Sequence, residues 1–392
     1  MTFSSKTTLS APSAILFLFF LPLLTPAQSK DTNDHSVRQT ITLFSKILNE
    51  DRTIYIQYPK ADSTHIDNKY PVFYLLDGES HFDMVAQYCN YLSRPDVYAI
   101  PEMILVGIAN TSRTRDLTPT SSIINYFGEA DTNAISWMKP SGGNERFLQF
   151  IREELMPYVE SHYKTQPFKI FAGHSFGGIA AINCLLTHPE MFNAYIAVSP
   201  SFWWDGTYLL QLADRRLKKG DTLNKFLFCS DASEGIADSS TYHTNLLKFD
   251  TLLKKKTLRG LDYQYSYYPK EIHMTEPVIA YYEALRFLYT DWLVHPQKPA
   301  QVSASALMTH YQRLSRKYGY TILPDEGNID NWASWLLKHP ETIKNGISLL
   351  EMNVSNYPSS VKALTSLARA YEIQGDRQKA NEYHQKAGLI KP

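Results

Sequence analysis

The stretch Gly173-His174-Ser175-Phe176-Gly177-Gly178 constrains this chain more than any other. An apolar run with strand character, Phe168-Lys169-Ile170-Phe171-Ala172, leads into it, and the small apolar residues Ile179 to Leu186 follow with the composition of a buried helix. Strand, tight turn and helix in that order make Gly173-x-Ser175-x-Gly177 a nucleophile elbow, which holds a serine on a strained turn and thrusts its hydroxyl out at the end of a buried strand. The flanking glycines have a steric task, because a side chain at either would collide where the helix packs close to the strand and turn.

Around this turn the pattern is that of a mostly parallel sheet. Gln39 to Leu43 and Thr53 to Tyr58 alternate as opening antiparallel strands. Pro71 to Leu76, Met103 to Ile108, Ala194 to Val198 and Lys225 to Cys229 are continuous apolar runs of the kind buried on both faces, and Tyr263 to Tyr268 is a last strand. Helices are predicted between them, over His81 to Leu92, Glu145 to Tyr163 and Glu276 to Leu293. A long polar segment, Ala109 to Asn144, has the length of a functional loop. The fold class is therefore α/β, with helices on both faces and the site at the carboxyl ends of the strands.

The termini differ from this core. Lys6, the apolar run Ala14 to Leu21 and the small-residue end Thr25-Pro26-Ala27 follow the order of an export signal cut near Ala27, which places the mature protein in the periplasm or outside the cell. Beyond Pro296 no buried strand can be found. Ala363, Leu364, Leu367, Ala368 and Tyr371, a turn at Gly375-Asp376, and Ala380, Tyr383 and Ala387 fit a tetratricopeptide-like helix pair, with a weaker copy over Ile343 to Pro358. The expected organisation is a signal peptide at 1–27, a linker at 28–36, the catalytic α/β domain at 37–296, a second linker at 297–326 and a helical module at 327–392. So short a module must pack against the catalytic domain, a partner protein or another copy of itself.

Charge excludes some functions. The formal net charge is zero and there is no long basic stretch, so nothing favours nucleic acid; once the leader is removed, nothing favours membrane insertion. Lys254-Lys255-Lys256 reads as a solvated helix face. Three cysteines, Cys89, Cys184 and Cys229, make no disulfide framework, and the last two read as buried free thiols. No H-E-x-x-H, Cys/His cluster or phosphate loop occurs, so neither metal nor cofactor is expected.

A serine hydroxyl is nearly inert until a base takes its proton. With this elbow the base comes last in chain order, which selects His273, just past the final strand; His243, His295 and His310 fall in helices or linkers with poorer reach. The acid is expected on Cys229-Ser230-Asp231-Ala232-Ser233-Glu234-Gly235. Glu234 is preferred to Asp231 because the chain must travel before a side chain can turn back; Asp205 and Asp238 are weaker choices, and a serine–histidine dyad stays open. The oxyanion needs two N–H donors, for which the backbone of Phe176 and that of Glu79, after the Pro71 to Leu76 strand, are the candidates.

Leu75-Leu76-Asp77-Gly78-Glu79, Arg115-Asp116-Leu117-Thr118-Pro119, Ser141-Gly142-Gly143, Glu154-Leu155-Met156-Pro157-Tyr158, the elbow itself, Ser199-Pro200-Ser201-Phe202-Trp203-Trp204 and Ile272-His273 occur in this order. Together they resemble an esterase family of α/β-hydrolases that contains enterochelin (ferric siderophore) esterases, S-formylglutathione hydrolase, feruloyl esterases and mycolyltransferases. The resemblance spans roughly Thr40 to Trp292 and is strongest to the siderophore-esterase branch. It implies Ser175 as nucleophile, His273 as base, the amides of Phe176 and Glu79 as oxyanion hole, and Trp203, Trp204, Asp77 and His174 at the substrate. It leaves the acid open, because relatives often carry glycine where this chain has Asp231. The expectation is a serine esterase for siderophore-type, aromatic or acetyl esters. The alternatives are an acyltransferase using the same acyl-enzyme, and a silent hydrolase that binds a partner through its helical repeats.

Overall fold

Alternation within β3 (Tyr70–Leu75) sends Val72 and Tyr74 to one side of a sheet and Phe73 and Leu75 to the other, all fully buried, so both faces must be covered. The computed structural model describes residues 36–60, 68–130, 138–233, 242–294 and 302–390. The expected signal peptide lies outside the described residues. No helix among them is long and apolar enough to cross a membrane.

The remaining strands are β1 (Ser36–Ser45), β2 (Glu50–Pro59), β4 (Ile104–Ile108), β5 (Thr165–His174), β6 (Ala194–Val198), β7 (Thr222–Ala232) and β8 (Arg259–Tyr268). They form one eight-stranded sheet in the order β1-β2-β4-β3-β5-β6-β7-β8. The first two are antiparallel to their neighbours, and from β4 onward all pairs are parallel. This is the α/β-hydrolase arrangement, with the elbow strand β5 near its centre.

The helices are α1 (Gly78–Leu92); α2, built from Asn144–Phe150, a π-helical segment Ile151–Leu155 and Met156–His162; α3 (Phe176–Thr187); α4 (Trp204–Arg216); α5 (Tyr242–Lys256) and α6 (Glu276–Leu288). One face of the sheet packs on α1 and α6, through Phe82, Val85, Tyr281 and Leu285. The other packs on α2 to α5, through Phe147, Ile182, Leu209 and Phe249. Cys89, Cys184 and Cys229 are all free and buried, and burial pushes the Cys89 thiol up to about 12.

The long segment after β4 is tied down by a buried ion-pair cluster. Arg52 of β2, fully buried, holds Asp116 at 2.6 Å, Glu50 at 2.9 Å and the Ala109 carbonyl at 3.0 Å. Arg115 joins the same carboxylates, and its hydrogen bond is the chief cause that lowers the Glu50 pKa. The Asn144 side chain donates to the Asp116 carbonyl at 2.8 Å, closing the segment onto the start of α2. Further along α2, Glu154 accepts from Ser45 Oγ at 2.6 Å and from the Lys46 amide at 2.9 Å, which fixes the β1–β2 turn. The family-like motifs thus act here as anchors of a loop that would otherwise be free.

Residues 297–326, expected as a linker, instead contain a helix, α7 (Ala304–Tyr318). Leu307, Tyr311, Leu314 and Tyr318 recur at helical spacing and are all buried in the same core as β3, β5, β6 and β7. Four more helices follow: α8 (Glu326–Leu336), α9 (Ile343–Asn356), α10 (Val361–Gln374) and α11 (Arg377–Leu389). Ser303, Asp325, Ser360 and Asp376 cap α7, α8, α10 and α11 with side-chain oxygens. The helix pair expected from Ser360 onward is present as α10 and α11.

Tyr318 is the joint between these helices and the sheet. Its ring stacks on Phe226 of β7 at 5.8 Å and 5°, meets Phe168 of β5 edge-on at 5.3 Å, and its hydroxyl donates to the Leu288 carbonyl at 2.7 Å. Tyr318→Ala should therefore destabilise the whole protein by about 3–5 kcal/mol. Urea denaturation followed by tryptophan fluorescence and by far-ultraviolet circular dichroism should give one shared, lowered midpoint; an early transition of the C-terminal helices alone would contradict this.

Candidate active site

The backbone at Ser175 has φ 61° and ψ −114°, a left-handed conformation that a side chain rarely adopts, on the turn from β5 into α3. A Cβ added at Gly173 would lie 2.4 Å from the Gly177 carbonyl carbon, and one at Gly178 would lie 2.9 Å from Pro200 Cα. Both contacts are with backbone or ring atoms that cannot yield, whereas a Cβ at Gly177 would lie 3.2 Å from Asp77 Oδ2, so of the two flanking glycines it is Gly173 whose side chain would collide. The Ser175 amide donates to Val198 O at 2.9 Å, and Ser175 Oγ pairs with Ser201 Oγ at 3.2 Å.

His273 sits on the loop between β8 and α6, and its ring packs against that of His174 at 4.4 Å between centroids. The structure thus brings the candidate base against the residue that precedes the candidate nucleophile. The loop is fixed from both sides: Ser233 N donates to Glu271 O at 3.0 Å, and the fully buried carboxylate of Glu276 accepts from Ser199 Oγ.

The two candidate oxyanion donors belong to the first turns of two helices, Glu79 in α1 and Phe176 in α3, where amides have no acceptor within their own helix. A side-chain network braces this end of α1. Asp77, only 5% exposed and at φ 52°, accepts from Arg113 Nε at 2.6 Å, from Arg113 Nη2 at 2.9 Å and from Asn110 Nδ2 at 2.7 Å. Asn110 also donates to the Glu79 carboxylate at 2.6 Å. Arg113 reaches the His174 carbonyl at 3.3 Å and lies over the Phe176 ring at 5.4 Å. Burial pulls against its charge, yet the Asp77 hydrogen bonds leave its pKa raised.

Of the acid candidates, Glu234 lies outside the described residues, as does Asp238. Asp231, at the end of β7, is 3% exposed and engages His243 Nδ1 at 2.7 Å and the Tyr265 hydroxyl at 2.9 Å. A histidine set aside for poor reach is thus a direct partner of one predicted acid, because α5 begins over the end of β7.

The expected substrate contacts are redistributed. Asp77 and His174 are buried, so each supports its neighbours rather than offering surface. Trp204 is 1% exposed and its Nε1 donates to Thr120 O at 3.2 Å, which makes it a packing residue beneath the long loop. Trp203 is 5% exposed and meets Phe176 at 5.9 Å, Tyr126 at 6.2 Å and Tyr242 at 6.2 Å. The rings nearer solvent are Tyr126, Phe127 and Tyr242, and Tyr242 also lies 5.9 Å from His273. Sequence reasoning missed Arg113, Asn110, Ser201, Tyr126 and Tyr242, which come from loops far apart in the chain; the aromatic pairs Tyr126-Phe127 and Trp203-Trp204 were the available signal.

The family model described as "Putative esterase" matches residues 45–246. The ferri-bacillibactin esterase BesA of Bacillus subtilis is 28% identical over 265 residues, 64% of this chain and 88% of that protein. The crystal structure of an IroE-like serine hydrolase from Shewanella oneidensis shares 30% identity with a TM-score of 0.70, over 82% of this chain and 100% of that one. An uncharacterised Capnocytophaga ochracea protein covers 90% of this chain at 18% identity and a TM-score of 0.63, so the fold recurs there with the C-terminal helices included.

His174 and His81 give the site a pH signature. Burial, and then the charges of His273, His81 and Arg113, hold the His174 pKa well below 6.5; burial also lowers that of His81, although Asp77 and Glu79 oppose it. Below pH 6.5 the unfolded chain therefore binds protons at these positions that the folded chain refuses, and stability falls with pH by up to about 1.4 kcal/mol per pH unit for each group. Thermal unfolding between pH 7 and pH 5 should show this loss, and His174→Asn should flatten it.

Proposed function

The chain belongs to this esterase family and is a carboxylic ester hydrolase, and from that premise we propose that it cleaves siderophore esters through a covalent acyl-serine. The observation that carries the mechanism is the strained Ser175 at the head of β5, with His273 against its neighbour His174. His273 takes the Ser175 proton as Oγ attacks the ester carbonyl carbon. The Phe176 and Glu79 amides stabilise the oxyanion, His273 returns the proton to the departing alcohol oxygen, and the acyl group stays on Ser175. Water, deprotonated by His273, then attacks the acyl-serine, and its collapse releases the acid and restores the serine hydroxyl. Glu234, with Asp231 as the alternative, is the proposed acid that steadies the imidazolium.

The substrate class is supported from two directions. The relatives are named for siderophore esters: besides BesA, a siderophore enterobactin esterase of Emericella nidulans is 35% identical over 124 residues, 30% of this chain and 40% of that one. The site offers stacking surface in Tyr126, Phe127 and Tyr242, together with the Arg113 cation, which suits large, flat, anionic ligands. Export follows from the leader-like pattern between Lys6 and Ala27 and puts the enzyme where siderophores are met.

Intact mass spectrometry after incubation with a fluorophosphonate tests the mechanism. One adduct on the wild type and none on Ser175→Ala is expected; a folded wild-type protein that takes no adduct would overturn the acyl-serine. His273→Ala should lower kcat by roughly a thousandfold or more. The same spectrum, taken on protein recovered from the exported fraction of its host, should start at Gln28 if the leader is cut after Ala27.

A further inference from the structure

We propose that His174 is a positioning residue that sets the His273 imidazole in register with the nucleophile and the oxyanion helix. The inference rests on His273 being the base. His174 is the last residue of β5 and is 4% exposed, so its ring cannot reach free solvent. On one side the ring lies 4.4 Å from the His273 ring at 44°, with the His273 backbone beside it. On another, His81 of α1, two residues beyond the Glu79 amide, meets it edge-on at 5.6 Å and 86°. Its own carbonyl takes Arg113, which is clamped by Asp77 at the head of α1. The three catalytic elements meet at this one side chain, and the next residue in the chain is Ser175.

The chemistry of the ring makes the contact directional. Nε2 is buried with no hydrogen-bond partner, so the proposed donor to the His273 backbone is Nδ1–H. With Arg113, His81 and His273 all on its flanks, a second proton on His174 would place one more cation in a crowded basic corner, and the ring stays neutral. A neutral imidazole has one N–H to give, and here it fixes the main chain of the base. Neutrality also lets His273 become an imidazolium without a charged ring stacked on it.

The test follows Ser175 labelling by a fluorophosphonate, because the reagent reports the activated serine without relying on substrate binding. His174→Phe keeps the bulk and removes the donor; it should slow labelling roughly 100-fold and lower kcat alike, with KM changed by less than about threefold. His174→Asn places an amide N–H near the Nδ1 position and should restore most of the rate; His174→Gln, whose amide falls near Nε2, should not. The Asn and Gln pair decides the matter should the Phe variant not fold. Wild-type labelling rates in His174→Phe, equal rates in Asn and Gln, or a change confined to KM would overturn the inference while leaving the acyl-serine standing. An unlabelled wild-type protein would remove the acyl-serine, and this inference with it.

Discussion

The active end of this molecule depends on one unfavourable backbone conformation. A left-handed serine between β5 and α3 costs on the order of 1–3 kcal/mol, and it persists only because the strand behind it is buried on both faces and the helix ahead of it cannot move away. Gly173 and Gly177 approach so closely that their contact fixes the distance between strand and helix. From that distance follow the direction of the Ser175 hydroxyl, the placement of the Phe176 amide at the helix start, and the height at which His174 meets His273. The sheet supplies rigidity and the turn spends it.

Around the turn, charge does what apolar packing cannot. Asp77 carries three hydrogen bonds from Arg113 and Asn110, and the Arg52–Asp116–Arg115–Glu50 cluster holds down the short helical turn Arg113–Leu117 that presents Arg113. A buried carboxylate stripped of a partner costs far more than an exposed one, so these groups define a single arrangement of a loop whose sequence is polar and irregular. The stretch from Asn110 to Asp116 is thus held by ion pairs and hydrogen bonds, which hydrophobic periodicity does not register.

Much of the fold was legible in the sequence. Buried parallel strands announce themselves as apolar runs, and strand, glycine turn and helix around Ser175 form a local pattern that needs no tertiary information. His273 was read from chain order, and the structure brings its ring against His174. What escaped were features made by distant parts of the chain. α7 was read as a linker because its apolar positions, Leu307, Tyr311, Leu314 and Tyr318, are spread among polar residues and find partners on strands far back in the chain, such as β5 and β7. Likewise Trp203 and Trp204, read as pocket walls, are 5% and 1% exposed, while Tyr126 and Tyr242 are only partly buried. His243 was dismissed from its helical position, yet that helix starts over Asp231.

The insertion of Tyr318 between β5, β7 and α6 bears on how the chain reaches its final state. One face of the sheet is closed partly by a residue that follows all of its strands in the chain, so Phe168 and Phe226, synthesised earlier, must wait for a ring that comes after them. Until then an apolar surface stands open beside a sheet that is otherwise complete, the condition in which nascent chains aggregate or are held by chaperones. In this sense the sheet of the hydrolase is finished only once the chain has run past Tyr318.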